Sequence, residues 1–203
     1  MNRPLVVGLG GTARAGSSSE RALRIALAAA EACGAETALL SGRDLVLPLY
    51  DPTEVERAEG ARRLVALLAR SEGIIVSSPG YHGSISGLVK NALDYVEDLR
   101  GDRRTYLDGR AVGCIVCAQG WQGAGITLVA LRSIVHALRA WPTPLGVTVN
   151  SAITRFTADG ACLDPTVTSQ LELVGRQVVE FARNKLRAAS RTADSSLMSS
   201  GCR

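Results

Sequence analysis

The residues LVVGLGGTARAGSSSERALRIALAAAEAC, numbered 5–33, contain signals for a strand, a loop and a helix in succession. An uninterrupted apolar run predicts a strand over residues 5–10, and apolar residues at helical spacing predict a helix over 18–33. The loop between them is rich in glycine and serine. Because the strand shows no polar alternation, it is typical of a strand buried on both faces of a parallel sheet.

The same strand, loop and helix order repeats along the chain. Further strands are predicted over residues 36–40, 73–78, 111–118 and 145–149, and further helices over 53–71, 86–99, 123–140 and 165–188. This alternation predicts an α/β fold with a doubly wound five-stranded parallel sheet, either flavodoxin-like with order 2-1-3-4-5 or a truncated Rossmann sheet. Both place ligands beyond the carboxyl ends of the strands, so the loops after strands one, three and four matter most.

Length and composition limit the class of protein. The 203 residues fit one domain, and 46% hydrophobic with 21% charged residues excludes a disordered chain, collagen and a coiled coil. We find no signal-peptide pattern and no apolar run of about 18 residues, so we expect a cytoplasmic protein without membrane contact. We assign the domain to residues 1–187 and expect a disordered, basic, serine-rich tail over 188–203.

Charge and cysteine content exclude two further classes. The net charge of +4 arises from residue 183 onward, and residues 1–182 balance to zero, so no nucleic-acid partner is expected. The five cysteines are scattered and odd in number, which does not indicate a disulfide framework. Cys114 and Cys117 have redox or zinc spacing, but in a strand they point to opposite faces. We interpret them as buried thiols and expect no metal site.

The first loop is typical of phosphate binding between a strand and a helix. Gly8 to Ala13 match the dinucleotide pattern G-x-G-x-x-A only weakly in a glycine-rich chain, and a Walker loop fails because Ser17 stands where lysine is required. A third interpretation uses the side chains of the loop, which together suit a phosphate monoester dianion. These are Thr12, Arg14, Ser17, Ser18 and Ser19. A plainer alternative is that the serines only cap the helix, with Glu20 in its first turn.

The loops after the third and fourth strands suit a flat ligand. Pro79 and Gly80 predict a tight turn with Gly80 at positive φ, followed by Tyr81, His82 and Gly83. Backbone groups there are expected to read the edge of a planar heteroaromatic ring, although a plain exposed loop is the alternative. The next loop contributes Gln119, Gly120 and Gly123, with Trp121 either stacking on a ring or filling a dimer contact. A phosphate anchor beside a flat slot has the shape of FMN.

These residues resemble the NADPH-dependent FMN reductase family of flavodoxin-like proteins, over about residues 3–187. The similarity lies in Thr12, Arg14, Ser17 and Ser19, in the LPLYD segment 47–51, and in the pattern P-x-Y-x-x-S-x-x-G-x-x-K-N-x-x-D at 79–94. The resemblance implies that the first loop holds the FMN phosphate and that the loop after strand three lines the isoalloxazine. It also implies that Gln119, Gly120 and Gly123 contribute.

The resemblance further implies hydride transfer from NADPH or NADH to FMN, with no protein nucleophile and with His82 as a weak candidate for a chemical role. The implied acceptors are free flavin, a quinone, an azo dye, a metal oxyanion or a flavin-dependent monooxygenase. Two alternatives remain open, an FMN electron carrier without NAD(P)H oxidation and a Rossmann NADP-dependent reductase.

A homodimer or a dimer of dimers is implied, with the flavin near the interface. We expect the dimer contact on the helices after strands three and four. The apolar side chains assigned to it are Leu88, Leu93, Tyr95, Ile126, Leu131 and Leu138.

Overall fold

The computed structural model describes residues 3–200, with side chains described as far as Arg191. In this range the strands are β1 Leu5–Gly10, β2 Glu36–Ser41, β3 Gly73–Tyr81, β4 Ser84–Ile85, β5 Ala111–Ala118, β6 Trp141–Pro142 and β7 Val147–Asn150. The α-helices are α1 Ser18–Ala32, α2 Glu59–Arg70, α3 Gly87–Asp94, α4 Trp121–Ala137 and α5 Pro165–Ser200. Short 3-10 helices cover Gly42–Leu45 and Tyr95–Leu99.

The sheet has the predicted flavodoxin-like order. Strand β1 pairs in parallel with β2 and β3, β3 pairs with β5, and β5 pairs with β6 at one end and β7 at the other. When the two-residue strands β4 and β6 are left out, β5 is the fourth strand and β7 the fifth. The order is then 2-1-3-4-5, as predicted. The short β4 is the exception, because it runs antiparallel to the end of β3.

Helices cover both faces of this sheet, which explains why its strands β1 and β5 are apolar throughout. One core packs α2, α3 and α4 against the sheet, and the other packs α1 and α5 against the opposite face. Strands β1 and β5 are buried at every residue. No helix within the described range is long and apolar enough to cross a membrane.

The segment between β2 and α2 is longer than predicted, since α2 begins at Glu59 and not at residue 53. Arg57 fixes this segment. Its guanidinium lies 4.8 Å from the centre of the Tyr50 ring and donates to both carboxylate oxygens of Asp98, at 2.9 and 2.8 Å. Such a two-point pair favours one conformation of the segment over a longer helix.

Helix α5 also departs from the prediction. It was expected to end at residue 188, and it continues to Ser200. The predicted disordered tail over 188–203 therefore overlaps helical backbone, and residues 201–203 of that tail lie outside the described residues. Disorder of the tail in solution stays a prediction.

Candidate active site

A cleft of about 400 Å³ opens at the carboxyl ends of β1, β3, β5 and β7. It brings together nine of the residues predicted to bind cofactor, namely Thr12, Arg14, Ser17, Ser18, Ser19, Pro79, Gly80, Tyr81 and Gln119. Its volume is within the range of roughly 300 to 1,000 Å³ typical of small-molecule sites. The three predicted loops therefore meet at one site.

The first loop is tied to β3 through its backbone. The Gly11 N–H donates to the Ser77 carbonyl at 3.0 Å, and the Ser77 hydroxyl donates to the Ser19 carbonyl at 2.8 Å. Gly10 has φ +153°, and a Cβ there would stand 1.9 Å from the Ser77 oxygen. Only glycine fits so close to a neighbouring strand, which fixes where the loop leaves the sheet.

The start of α1 uses its serines in two ways. Ser17 is the N-cap, because its Oγ accepts the Glu20 N–H at 3.3 Å and lies 3.3 Å from the Ser19 Oγ. Ser17 and Ser19 are nearly buried, at 4% and 1% exposure. The capping alternative thus holds for Ser17, although all three serines also line the cleft. The helix leaves the N–H groups of Ser18 and Ser19 without an intrahelical partner, as at any helix start.

Glu20 adds a carboxylate behind this loop. One of its oxygens accepts the Gly16 N–H at 3.0 Å, and the other pairs with Arg24 at 2.7 Å. The Gly16 N–H is therefore occupied and offers nothing to a ligand. Arg14 is exposed and faces no such competition, since no carboxylate of the described residues forms an ion pair with it.

The loop after β3 is a hairpin, which corrects the predicted turn at Pro79 and Gly80. β3 continues to Tyr81 and pairs back with β4, so the turn falls on His82 and Gly83, with φ of 51° and 85°. Two successive positive φ values are typical of a type I′ hairpin turn. His82 and Gly83 lie exposed at the hairpin tip and do not line the cleft.

Gly80 does not adopt the predicted positive φ, and close packing explains the glycine there. A Cβ would lie 2.9 Å from the Thr127 Oγ1 and 3.1 Å from the Ala118 Cβ. The absence of a side chain lets α4 and the end of β5 approach β3 closely. Gly80 thereby shapes the cleft wall between Pro79 and Tyr81.

The loop after β5 is held by a residue that the sequence did not single out. Asn150 is 7% exposed, and its Oδ1 accepts the N–H groups of Gly120 and Ala152, both at 3.1 Å. This bridge joins the loops after β5 and β7. Gln119 lines the cleft beside it, whereas Gly120 and Gly123 lie outside the cleft.

Sequence reasoning also missed Cys117, Ala118 and Ser151, which line the cleft. Cys117 and Ala118 end β5, and Ser151 follows β7. Their position at the carboxyl ends of β5 and β7 was the available signal, because all parallel strands end at the same edge of the sheet. Burial raises the pKa of the Cys117 thiol to about 12, so it stays protonated at neutral pH. Cys114 is likewise a buried free thiol, as predicted for both.

The cleft lies within the part of the chain that matches a known protein family. The model of the NADPH-dependent FMN reductase family matches residues 4–154, which include β1 through β7 and the whole cleft. The chain belongs to the NADPH-dependent FMN reductase family.

Two curated relatives carry related names. The chain is 28% identical over 172 residues to the NADPH-dependent FMN reductase ArsH of Shigella flexneri, covering 84% of this chain and 66% of that protein. It is 39% identical over 51 residues to an NADPH azoreductase of Bacillus sp. (strain OY1-2), covering 25% and 29% of the two chains. The chain therefore spans less than two thirds of either relative.

Solved structures agree on the fold. The flavoenzyme FerB, an NAD(P)H:(acceptor) oxidoreductase from Paracoccus denitrificans, superimposes with a TM-score of 0.74 over 90% of this chain and 98% of its own, at 20% identity. A WrbA-like flavodoxin from Agrobacterium tumefaciens gives 0.62 over 90% and 99%, at 15% identity. At such identities the likeness establishes the flavodoxin-like fold alone.

Proposed function

We propose that this protein is an FMN-dependent oxidoreductase that takes hydride from NADPH or NADH and reduces a small-molecule acceptor. The observation that carries the proposal is the cleft itself, which has a donor-rich end at α1 and a second end lined by Pro79, Gly80, Tyr81 and Gln119. Its family and the names of its relatives support the same activity.

The donor-rich end suits the FMN phosphate. Arg14 supplies a guanidinium, Ser18 supplies a hydroxyl, and the helix start supplies the N–H groups of Ser18 and Ser19. The Thr12 hydroxyl shapes the loop instead, because it donates to the Arg14 carbonyl at 3.1 Å. A phosphate monoester has three terminal oxygens and needs this many donors. Charge-assisted hydrogen bonds to a dianion are roughly twice as strong as neutral ones, so Arg14 carries the largest share of the binding.

The other end suits an isoalloxazine ring. Pro79, Gly80 and Tyr81 form one wall and Gln119 another, so backbone groups and one side-chain amide would face the edge of a ring bound there. FMN held by these residues would supply the hydride and electron-transfer chemistry between a nicotinamide and the acceptor. The protein orients the two and supplies no nucleophile. Cys117 lines the cleft as a protonated thiol, which is a poor nucleophile.

A homodimer is part of the proposal, on a surface that partly corrects the predicted one. Leu93, Tyr95 and Leu131 are buried in the protein's own core and are not available for a partner. The exposed apolar side chains near the hairpin are instead Tyr81, Trp121, Ile126 and Val129, at 53%, 56%, 51% and 66% exposure. Exposed apolar side chains on neighbouring elements support an interface beside the cleft. Leu88 and Leu138 are half-buried.

The function is tested by binding and turnover on purified protein. FMN is titrated while its fluorescence is followed, and NADPH consumption is then measured with added flavin, quinone or azo dye. We expect saturable quenching by FMN, weaker quenching with riboflavin, and NADPH consumption that depends on both FMN and acceptor. Binding of FMN without NADPH or NADH consumption would identify an electron carrier, and the absence of FMN binding would reject the flavin site.

A further inference from the structure

A second pocket of about 420 Å³ continues the cleft past the end assigned to the FMN phosphate. The two share Arg14, Ser18 and Ser151. Its outer wall adds Arg21, Thr154, Arg155 and Phe156. The surface therefore continues from the phosphate end of the cleft into a space lined by three arginines and one aromatic ring.

The outer wall is a preformed hairpin. Phe156 bridges Cys162 in antiparallel fashion, and the Leu163 N–H donates to the Arg155 carbonyl at 2.9 Å. Arg21 reaches from α1 to this hairpin and donates to the carbonyls of Phe156 and Thr157 at 3.3 and 2.7 Å. The hairpin thus holds Arg155 and Phe156 in position before any ligand arrives, which lowers the entropy cost of binding.

The charge of this pocket favours an anion. Arg14 and Arg155 are exposed, and neither they nor Arg21 form an ion pair with a carboxylate anywhere in the described range. Two carboxylates lie near this cluster. The pKa of Asp159 is lowered, first by a hydrogen bond with Thr157 and also by Arg21, and Glu20 accepts the Gly16 N–H and pairs with Arg24. Because Arg24 offsets the charge of Glu20, three guanidinium groups against Asp159 leave a net positive pocket.

The chemistry of the lining indicates the class of ligand. Guanidinium groups bind phosphate through paired hydrogen bonds, and a half-buried phenyl ring offers a stacking surface for a purine base. We propose that this pocket binds the adenosine phosphate half of a dinucleotide, supplied either by FAD bound through its flavin half in the cleft or by NADPH. The proposal rests on the proposed function, because it continues the ligand path from the FMN phosphate.

Two of the side chains that line this pocket lie beyond the residues matched by the family model. The family match ends at residue 154, and Arg155 and Phe156 lie directly beyond it. The proposed subsite therefore depends on side chains that the family model does not cover, and FMN binding alone does not require them.

A direct binding experiment tests the subsite without turnover. Adenosine 2′,5′-bisphosphate and AMP are titrated calorimetrically into the parent protein, Arg155→Ala and a control, Arg70→Ala. Arg70 is an exposed arginine in the last turn of α2, just before β3 begins and so at the opposite end of the sheet. We expect binding to the parent, a roughly tenfold loss in Arg155→Ala from one lost charge-assisted contact, and none in Arg70→Ala.

Two further measurements identify the source of the adenosine phosphate. If FAD supplies it, Arg155→Ala weakens FAD roughly tenfold and leaves FMN affinity unchanged. If NADPH supplies it, Arg155→Ala raises the KM for NADPH with FMN affinity again unchanged.

No binding of either adenosine phosphate, or equal binding by the parent and Arg155→Ala, overturns the subsite. The subsite is also overturned if Arg155→Ala changes neither the affinity for FAD nor the KM for NADPH. A parent protein that does not bind FMN is a separate result. It rejects the proposed function, while the calorimetric titration still reports on the pocket.

Discussion

Arg14 is the side chain that we propose as the main contact to the FMN phosphate. It is exposed at the donor-rich end of the cleft and lacks an ion pair with any described carboxylate, so its charge is available to a ligand. We predict that Arg14→Ala weakens FMN roughly tenfold or more, since a charge-assisted hydrogen bond contributes about 1.5 to 3 kcal/mol. Riboflavin, which lacks the phosphate, should lose little affinity. Fluorescence titration measures both, and equal losses for the two flavins would contradict the phosphate assignment.

A substitution at Gly80 tests the end of the cleft that we assign to the isoalloxazine ring. Gly80→Ala places a Cβ 2.9 Å from the Thr127 Oγ1, so α4 or β3 must shift. Overpacking of this kind costs about 1 to 3 kcal/mol, and we predict weaker FMN binding with a changed flavin absorbance spectrum. Gly87→Ala is the matched control, because a Cβ there meets nothing within 4 Å. The same FMN affinity in both variants would show that this wall does not contact the ring.

The burial of Cys117 predicts how the reactivity of its thiol depends on pH. Burial raises its pKa to about 12, so the reactive thiolate is scarce at every pH below that value. We expect Cys117 to resist alkylation by iodoacetamide from pH 7 to about 9, while the half-buried Cys33 is labelled in the same samples. Peptide mass spectrometry after timed labelling measures both sites. Rapid labelling of Cys117 at pH 7 would contradict its burial.

The loop after β5 depends on an element that is distant in sequence. Asn150 at the end of β7 accepts two N–H groups, and Asn150→Ala leaves the Ala152 N–H without its side-chain acceptor and the Gly120 N–H with only the Ala118 carbonyl, at 3.1 Å. The lost hydrogen bonds cost about 1 kcal/mol, which lowers Tm by roughly 2 to 4 °C in a chain of this size. We also predict weaker FMN binding, since Gln119 loses its support. The exposed Asn184→Ala on α5 is the control and should change neither quantity. Unchanged FMN affinity in Asn150→Ala would separate this loop from the flavin site.

The strands were predictable and the cleft only in part, for physical reasons. β1 and β5 were predicted with the bounds that the structure gives, because strands buried on both faces are continuous apolar runs ended by polar or glycine residues. The hairpin turn at His82 and Gly83 was not foreseen, because Pro79 and Gly80 carry a stronger local turn signal. Pairing with β4 overrides that signal. Asn150 was missed because its role depends on contacts 30 residues away.

At the scale of the whole molecule, exposed apolar side chains lie beside the cleft, on the face formed by α4 and the β3–β4 hairpin. We predict a homodimer through this surface, and Val129→Asp, which adds a charge at a site 66% exposed, should shift the protein toward monomer. Leu173→Asp on α5 is a matched control on the opposite face of the sheet, at 38% exposure. Light scattering at micromolar concentration measures the mass. A monomeric parent protein with FMN bound would contradict the dimer.

The central claim is that this cleft holds FMN so that a nicotinamide can reduce it. Anaerobic titration of the FMN-loaded protein with NADPH, followed at the visible flavin bands, tests it most directly. We predict that about one equivalent of NADPH bleaches the bound flavin, as expected for transfer of one hydride. We also predict that admission of air restores the colour. A protein that binds FMN tightly and keeps its full yellow absorbance after excess NADPH and NADH would contradict the claim.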